Sequence, residues 1–94
     1  MKELRDSIDN IDAAIVYLLA ERFRITHRVG TLKRNYGVSP ADPEREAAQR
    51  ERLRSIADSA GLDREVVDLL FPVIMEEVRR RHEALRHDAF RHEA

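Results

Sequence analysis

The sequence predicts an all-α protein, and three observations carry that prediction. Apolar residues recur at alternating steps of four and three through Leu4, Ile8, Ile11, Ile15 and Leu18. Between Leu4 and Arg34 there is no proline and a single glycine, and aromatic residues make up only 5% of the chain. Such spacing marks an amphipathic helix with one buried stripe, not the two-residue alternation of a strand. With 94 residues the chain has room for one domain, 1–94.

The elements follow in order. The first helix runs over about 3–35, and its stripe continues past Leu18 to position 22, which is an arginine, before Ile25, Val29 and Leu32 resume the alternation. The segment Asn35 to Ala41 holds a glycine and a proline and reads as a loop. Asp42 then offers an N-cap carboxylate, Pro43 a first helical position without an orphan donor, and Glu44 a charge that suits the positive end of the dipole. This predicts a second helix over 43–60, with Ala47, Leu53, Ile56 and Ala60 on its apolar side. Gly61 ends it, and Asp63 caps a third helix over about 63–88 whose apolar positions are Val67, Phe71, Ile74, Val78 and Leu85. Pro72 removes the hydrogen bond to the Asp68 carbonyl, which predicts a kink or a break there.

A helix of 31 residues, Leu4 to Arg34, is roughly 46 Å long. A compact monomer of this size has a radius of gyration of only about 12 Å. The helix overhangs its own core, so its stripe needs a second chain, and a symmetric helical homodimer is the simplest closed arrangement.

Composition excludes several classes of function. Seventeen Lys+Arg against eighteen Asp+Glu leave a net charge of −1, which argues against a general binder of nucleic acid or anionic membrane. A DNA-binding coiled coil is set aside because no basic block precedes the seam. There is no cysteine, hence no disulfide framework, and no apolar run approaches the roughly 20 residues of a membrane span. The start MKELRDSIDN lacks the apolar stretch of a signal peptide, so a cytoplasmic address is expected. The closing pentad echo RHEAL, RHDAF, RHEA spaces His82, His87 and His92 five apart, about 140° past a full turn. They do not share a face as an i, i+4 metal pair does, so no metal site is expected in what reads as an exposed tail.

Arg22 is the sharpest anomaly, because a guanidinium in an apolar seam costs several kcal/mol of desolvation unless something compensates it. An acid from another helix, an escape to water or an anionic ligand would each do so. Lys33, three turns on, points from nearly the same face, and two cations there suggest an anion site inside a bundle. Arg5, roughly 25 Å away along the helix, reads as a surface residue within its own chain, but in an antiparallel dimer it reaches the partner's site. Asp42, Arg45 and Glu46 cluster at a helix N-terminus, and capping explains Asp42 and Glu44 but not Glu46. His82, four residues after Val78, points inward with it or serves as an ordinary packed histidine.

Taken together, LRDSIDNID (4–12), LLAERFRITHRVGTLK (18–33), DPERE (42–46) and LFPVI followed by His82 resemble the all-α, AroQ-type chorismate mutases. The resemblance covers the chain except its final tail. It implies a three-helix protomer with a very long first helix, an intertwined homodimer and no cofactor. It assigns Arg5 of one subunit, with Arg22 and Lys33 of the other, to the two carboxylates and the ether oxygen of chorismate. Asp42 and Glu46 fall where the family holds the ring hydroxyl, and Arg45 where an arginine assists binding. Val78 stands where the family often has serine, and His82 where it has glutamine or glutamate, so the group that donates to the ether oxygen is changed. The resemblance also admits an activating partner enzyme, and three other readings: an isochorismate pyruvate-lyase, an aminodeoxychorismate mutase, or a non-catalytic helical regulatory module. If the His82 imidazolium is the donor, turnover of chorismate falls as pH rises through the range in which imidazole loses its proton, around pH 6.5 for the free side chain. A flat rate profile between about pH 5 and 8 removes the imidazolium from that role.

Overall fold

The structure, a computed structural model, describes residues 1–37 and 41–93, with side chains as far as residue 87. Three helices make up the protomer: α1 (Lys2–Asn35), α2 (Pro43–Ala60) and α3 (Arg64–Glu93). The expected boundaries hold to within a residue except at the end of α3, which continues five residues beyond the expected 88. Residues 38–40 of the expected loop, and the side chain of His92 in the pentad echo, lie outside the described residues.

Local chemistry accounts for the helix ends. The Asp42 carboxylate accepts a hydrogen bond from the Arg45 backbone N–H at 3.1 Å, and Pro43 follows at the first helical position. At the other end of α2, Gly61 takes a φ of 74°, where a side chain would be strained. The Leu62 N–H reaches back to the Ala57 carbonyl and the Gly61 N–H to that of Asp58, a Schellman closure. Arg64 then grips Asp58 through two parallel bonds, Nε to Oδ1 at 2.9 Å and Nη2 to Oδ2 at 2.7 Å, across the turn into α3.

Pro72 does not break the chain into two helices, because α3 runs unbroken through it. Pro72 and Asp68 are both exposed, so water can satisfy the carbonyl that the ring leaves without its donor.

Helix α3 packs on both α1 and α2, whereas the backbones of α1 and α2 do not approach one another among the described residues. The small core sits along α3: Phe71 and Met75 are buried, together with Ala57 of α2. On α2 the buried face differs from the apolar side expected from spacing. Ala47 and Ile56 are exposed, while Glu46, Gln49, Arg50, Leu53 and Arg54 are partly buried around Ala57. The aliphatic stems of the arginines supply what apolar residues do elsewhere. The Arg50 guanidinium lies 5.5 Å from the centre of the Phe71 ring, and Arg54 reaches Asp68 of α3 at 2.7 Å.

The molecule is elongated, 58 × 29 × 17 Å, with a radius of gyration of 16.8 Å. Its long axis accommodates α1, whose stripe residues Leu4, Ile8, Ile11, Ile15 and Leu18 are all at least half exposed. Among the described residues, no helix is long and apolar enough to cross a membrane.

The Arg64 hydrogen bonds hold the Asp58 carboxyl below its ordinary value. A depressed folded-state value adds stability that is present above the unfolded aspartate's titration and disappears as pH falls through the folded one. Thermal melting of Asp58→Asn is therefore expected to lie below that of the native chain at neutral pH, with the gap closing below about pH 4. A gap that stays constant down to acid pH refutes this role for the pair.

Candidate functional site

Because α1 and α2 stand apart over α3, they leave a cavity of about 190 Å³ between the three helices. From α1 it receives Arg22, Ile25, Thr26, Val29 and Lys33, one side of the helix in 3.6-residue register. Helix α2 contributes its N-terminal turns, with Asp42, Arg45, Glu46 and Gln49. The floor is α3, with Phe71, Met75, Val78 and His82. Seven of the eight residues singled out from the sequence meet here. Arg5 does not, since it sits exposed at the far end of α1.

The sequence reading missed Thr26 and Gln49. Gln49 had a signal, because it follows Glu46 by three residues and Arg45 by four and so shares their face. Arg79 of α3 was also overlooked, and its Nη1 lies 3.9 Å from Glu46 Oε2. Nothing in the spacing within either helix could have paired residues 33 apart.

The cavity is cationic in an otherwise near-neutral chain. Three cations, Arg22, Lys33 and Arg45, face two carboxylates, Asp42 and Glu46. One oxygen of Asp42 is engaged in capping α2, and Glu46 is drawn towards Arg79. The Arg22 Nη1 is buried without a hydrogen-bond partner, and among the described residues no carboxylate pairs with it. Burial, and after it the like charge of Arg45, pushes the Arg22 guanidinium below its ordinary value. The internal salt bridge that could have satisfied Arg22 is thus not formed within the protomer. Lys33 lies about 16 Å further along the α1 axis, so the two cations approach the cavity from opposite ends.

Two further groups set the polarity of the floor. Val78 offers no hydroxyl. The His82 Nε2 lies 3.0 Å from the Thr26 carbonyl oxygen of α1, which ties the helices together at the cavity wall.

A cleft with cations at each end and carboxylates at the side, on an all-α scaffold, has the lining of a small-molecule pocket in which anionic and hydroxyl groups would both find partners. Comparison with known proteins makes the class specific. The family model for chorismate mutase type II matches residues 4–83, and the chain belongs to that family. It is 32% identical to a chorismate mutase of Methanocaldococcus jannaschii over 76 residues, which cover 81% of this chain and 77% of that protein. It is 35% identical over 74 residues to a T-protein of Enterobacter agglomerans, covering 79% of this chain and 20% of the relative. A bifunctional chorismate mutase/prephenate dehydratase of Buchnera aphidicola is 36% identical over 73 residues, 78% of this chain and 19% of that protein. The chain therefore spans about a fifth of the length of the T-protein and bifunctional relatives it matches.

An arginine kept for an incoming anion contributes little to the empty fold. Arg22→Met is expected to leave the melting temperature of the ligand-free protein unchanged or raised, since an apolar side chain of similar length replaces a half-buried charge that has no carboxylate partner. A loss of more than about 1 kcal/mol in denaturant unfolding would show instead that Arg22 is paired in solution.

Proposed function

We propose that this chain is a chorismate mutase that works as a homodimer, rearranging chorismate to prephenate in a site to which each subunit contributes. The observation that carries the reading is the half-buried Arg22, whose Nη1 is enclosed without a hydrogen-bond partner in a cavity shared with Lys33, Arg45, Asp42 and Glu46. The reaction is a pericyclic [3,3] shift, so it asks for no nucleophile, proton transfer or cofactor. What it requires is substrate held in its folded diaxial form, and positive charge beside the ether oxygen as the C–O bond breaks.

The residues divide those tasks. Arg22 and the partner's Arg5 take the two carboxylates, and Arg45 assists. Lys33 and His82 face the ether oxygen, where removing one preorganised donor typically costs about 3–4 kcal/mol. Asp42 and Glu46 accept from the ring hydroxyl, which favours a hydroxyl-bearing substrate over the 4-amino analogue.

The exposed stripe on α1 supports the dimer. Leu4 is 65% exposed and Leu18 69%, values that a stable isolated helix of this length does not tolerate along one face. Burying each such side chain contributes about 1.5 kcal/mol or more, so the five from Leu4 to Leu18 supply a substantial driving force for association. An antiparallel pairing of two α1 helices also brings Arg5 from the far end of one chain to the middle of the other.

The test follows the disappearance of chorismate and the appearance of prephenate, with isochorismate in parallel. Arg22→Ala and Arg5→Ala are each expected to lose activity while remaining dimeric. Mixed after unfolding and refolding together, they form heterodimers in which one site has both substitutions and the other has neither. Random pairing then restores about a quarter of the native sites. No recovery on mixing refutes the shared site, and an unaltered rate in Arg22→Ala refutes the assignment of Arg22.

A further inference from the structure

The contact between α1 and α3 at the cavity wall has a geometry that the proposed chemistry does not by itself require. Gly30 is the only buried residue of α1. A Cβ built on it would stand 2.5 Å from His82 Cδ2, 2.7 Å from His82 Nε2 and 3.2 Å from Leu85 Cδ1. No side chain fits there while the imidazole stays where it is. The His82 Nε2 in turn lies 3.0 Å from the carbonyl oxygen of Thr26, one helical turn before Gly30. In an α-helix that carbonyl points along the axis towards residue 30 and already receives its N–H. A ring that reaches it from the side must lie over the Cα of residue 30.

We infer that Gly30 is a positioning residue: by leaving its Cβ space to the imidazole, it lets the Thr26 carbonyl hold His82 as the Nε2–H tautomer. Nδ1 then becomes the ring nitrogen that serves the cavity. A carbonyl oxygen only accepts, so Nε2 carries a proton at every pH. Neutral His82 therefore presents a lone pair at Nδ1, and only the imidazolium presents an N–H there. The same side chain is an acceptor in one state and a donor in the other, with no change in its position.

The charged groups that share this cavity with His82 are Arg22 and Lys33 of α1 and Asp42, Arg45 and Glu46 of α2. On α3 itself, Arg79 reaches Glu46, Arg81 is paired with Glu77, and Glu83 lies 3.9 Å from Arg86. None of these is hydrogen-bonded to the ring. The catalytic consequence rests on the mutase reading above: donation to the ether oxygen is confined to the protonated enzyme, whereas a carboxamide in this place would donate at all pH values.

Two measurements test the inference separately from that reading. In the first, the imidazole nitrogens and protons of the ligand-free protein are followed by 15N-correlated NMR, with His82 assigned by its absence in His82→Gln. A slowly exchanging Nε2–H that persists from acid to neutral pH is expected in the native chain, and its loss is expected in Gly30→Ala. Alanine favours the helix over glycine, so the variant keeps its α1. A neutral Nδ1–H tautomer, or an Nε2–H equally protected in Gly30→Ala, overturns the inference. In the second, kcat/KM of the native chain is expected to show a limb that falls about tenfold per pH unit towards alkaline pH, as the donor loses its proton, and His82→Gln to flatten that limb. A limb that survives His82→Gln overturns the catalytic consequence. A chain with no chorismate turnover at any pH overturns the proposed function, and the NMR result stands or falls without it. As a control on folding, Gly30→Ala in a His82→Ala background is expected to raise the melting temperature, because the clash has gone and the propensity gain remains.

Discussion

One packing constraint shapes the protomer: α3 is the only helix that meets both of the others. Phe71 and Met75 of α3 form the small core, with Ala57 of α2 buried alongside them. Since the backbones of α1 and α2 do not approach one another among the described residues, the space between them stays open and is floored by α3. In a bundle whose helices all touched, this volume would be filled by side chains. The cavity is therefore a direct result of the topology, and the short α2 packs on α3 through Ala57, with polar ties around it. Arg54 to Asp68 and Asp58 to Arg64 join α2 to α3 at the surface, and the stems of Arg50 and Arg54 cover the face of α3.

The same arrangement explains how a chain of net charge −1 carries a cationic site. Most of its ion pairs are exposed and join residues three or four apart on a single helix, such as Arg24 with Glu21 and Arg80 with Glu77. Pairs of that kind neutralise the surface locally and add little stability. Arg22 and Lys33 are left out of them. A cation withheld from neighbouring acids is costly in an empty site, and in Arg22 the cost is visible as a buried nitrogen with no partner. In the proposed function that cost is compensated when the anionic substrate arrives, which makes the bound fold the better satisfied of the two.

How much of this was legible beforehand depended on the periodicity involved. The stripe of α1 and the punctuation at Asp42-Pro43 and Gly61 specify three helices, because caps and 3.6-residue spacing act locally. Arg22 was visible for the same reason, as a break in a regular pattern. The packing face of α2 was not, since its buried positions are held by Glu46, Gln49, Arg50 and Arg54, and hydrophobic spacing is blind to burial by aliphatic stems. Of the two outcomes expected at Pro72, the break does not occur: the missing hydrogen bond falls on an exposed turn where solvent can compensate, so the helix continues. Contacts between helices, Arg79 with Glu46 and His82 with Thr26, depend on tertiary register and have no trace in linear spacing.

Gly30 illustrates the difference between a local rule and its tertiary override. A glycine deep inside a long helix costs about 1 kcal/mol relative to alanine, and nothing about φ requires it here, since only Gly37 and Gly61 take positive values. By propensity alone, alanine is the better residue. The glycine is compatible with good packing because the imidazole of His82 occupies the room its side chain would fill, and the ring's reach to the Thr26 carbonyl depends on that room. A residue that weakens its own helix while fixing the orientation of a cavity side chain exchanges local stability for site geometry. That exchange is where departures from local preference are expected to fall in a functional protein.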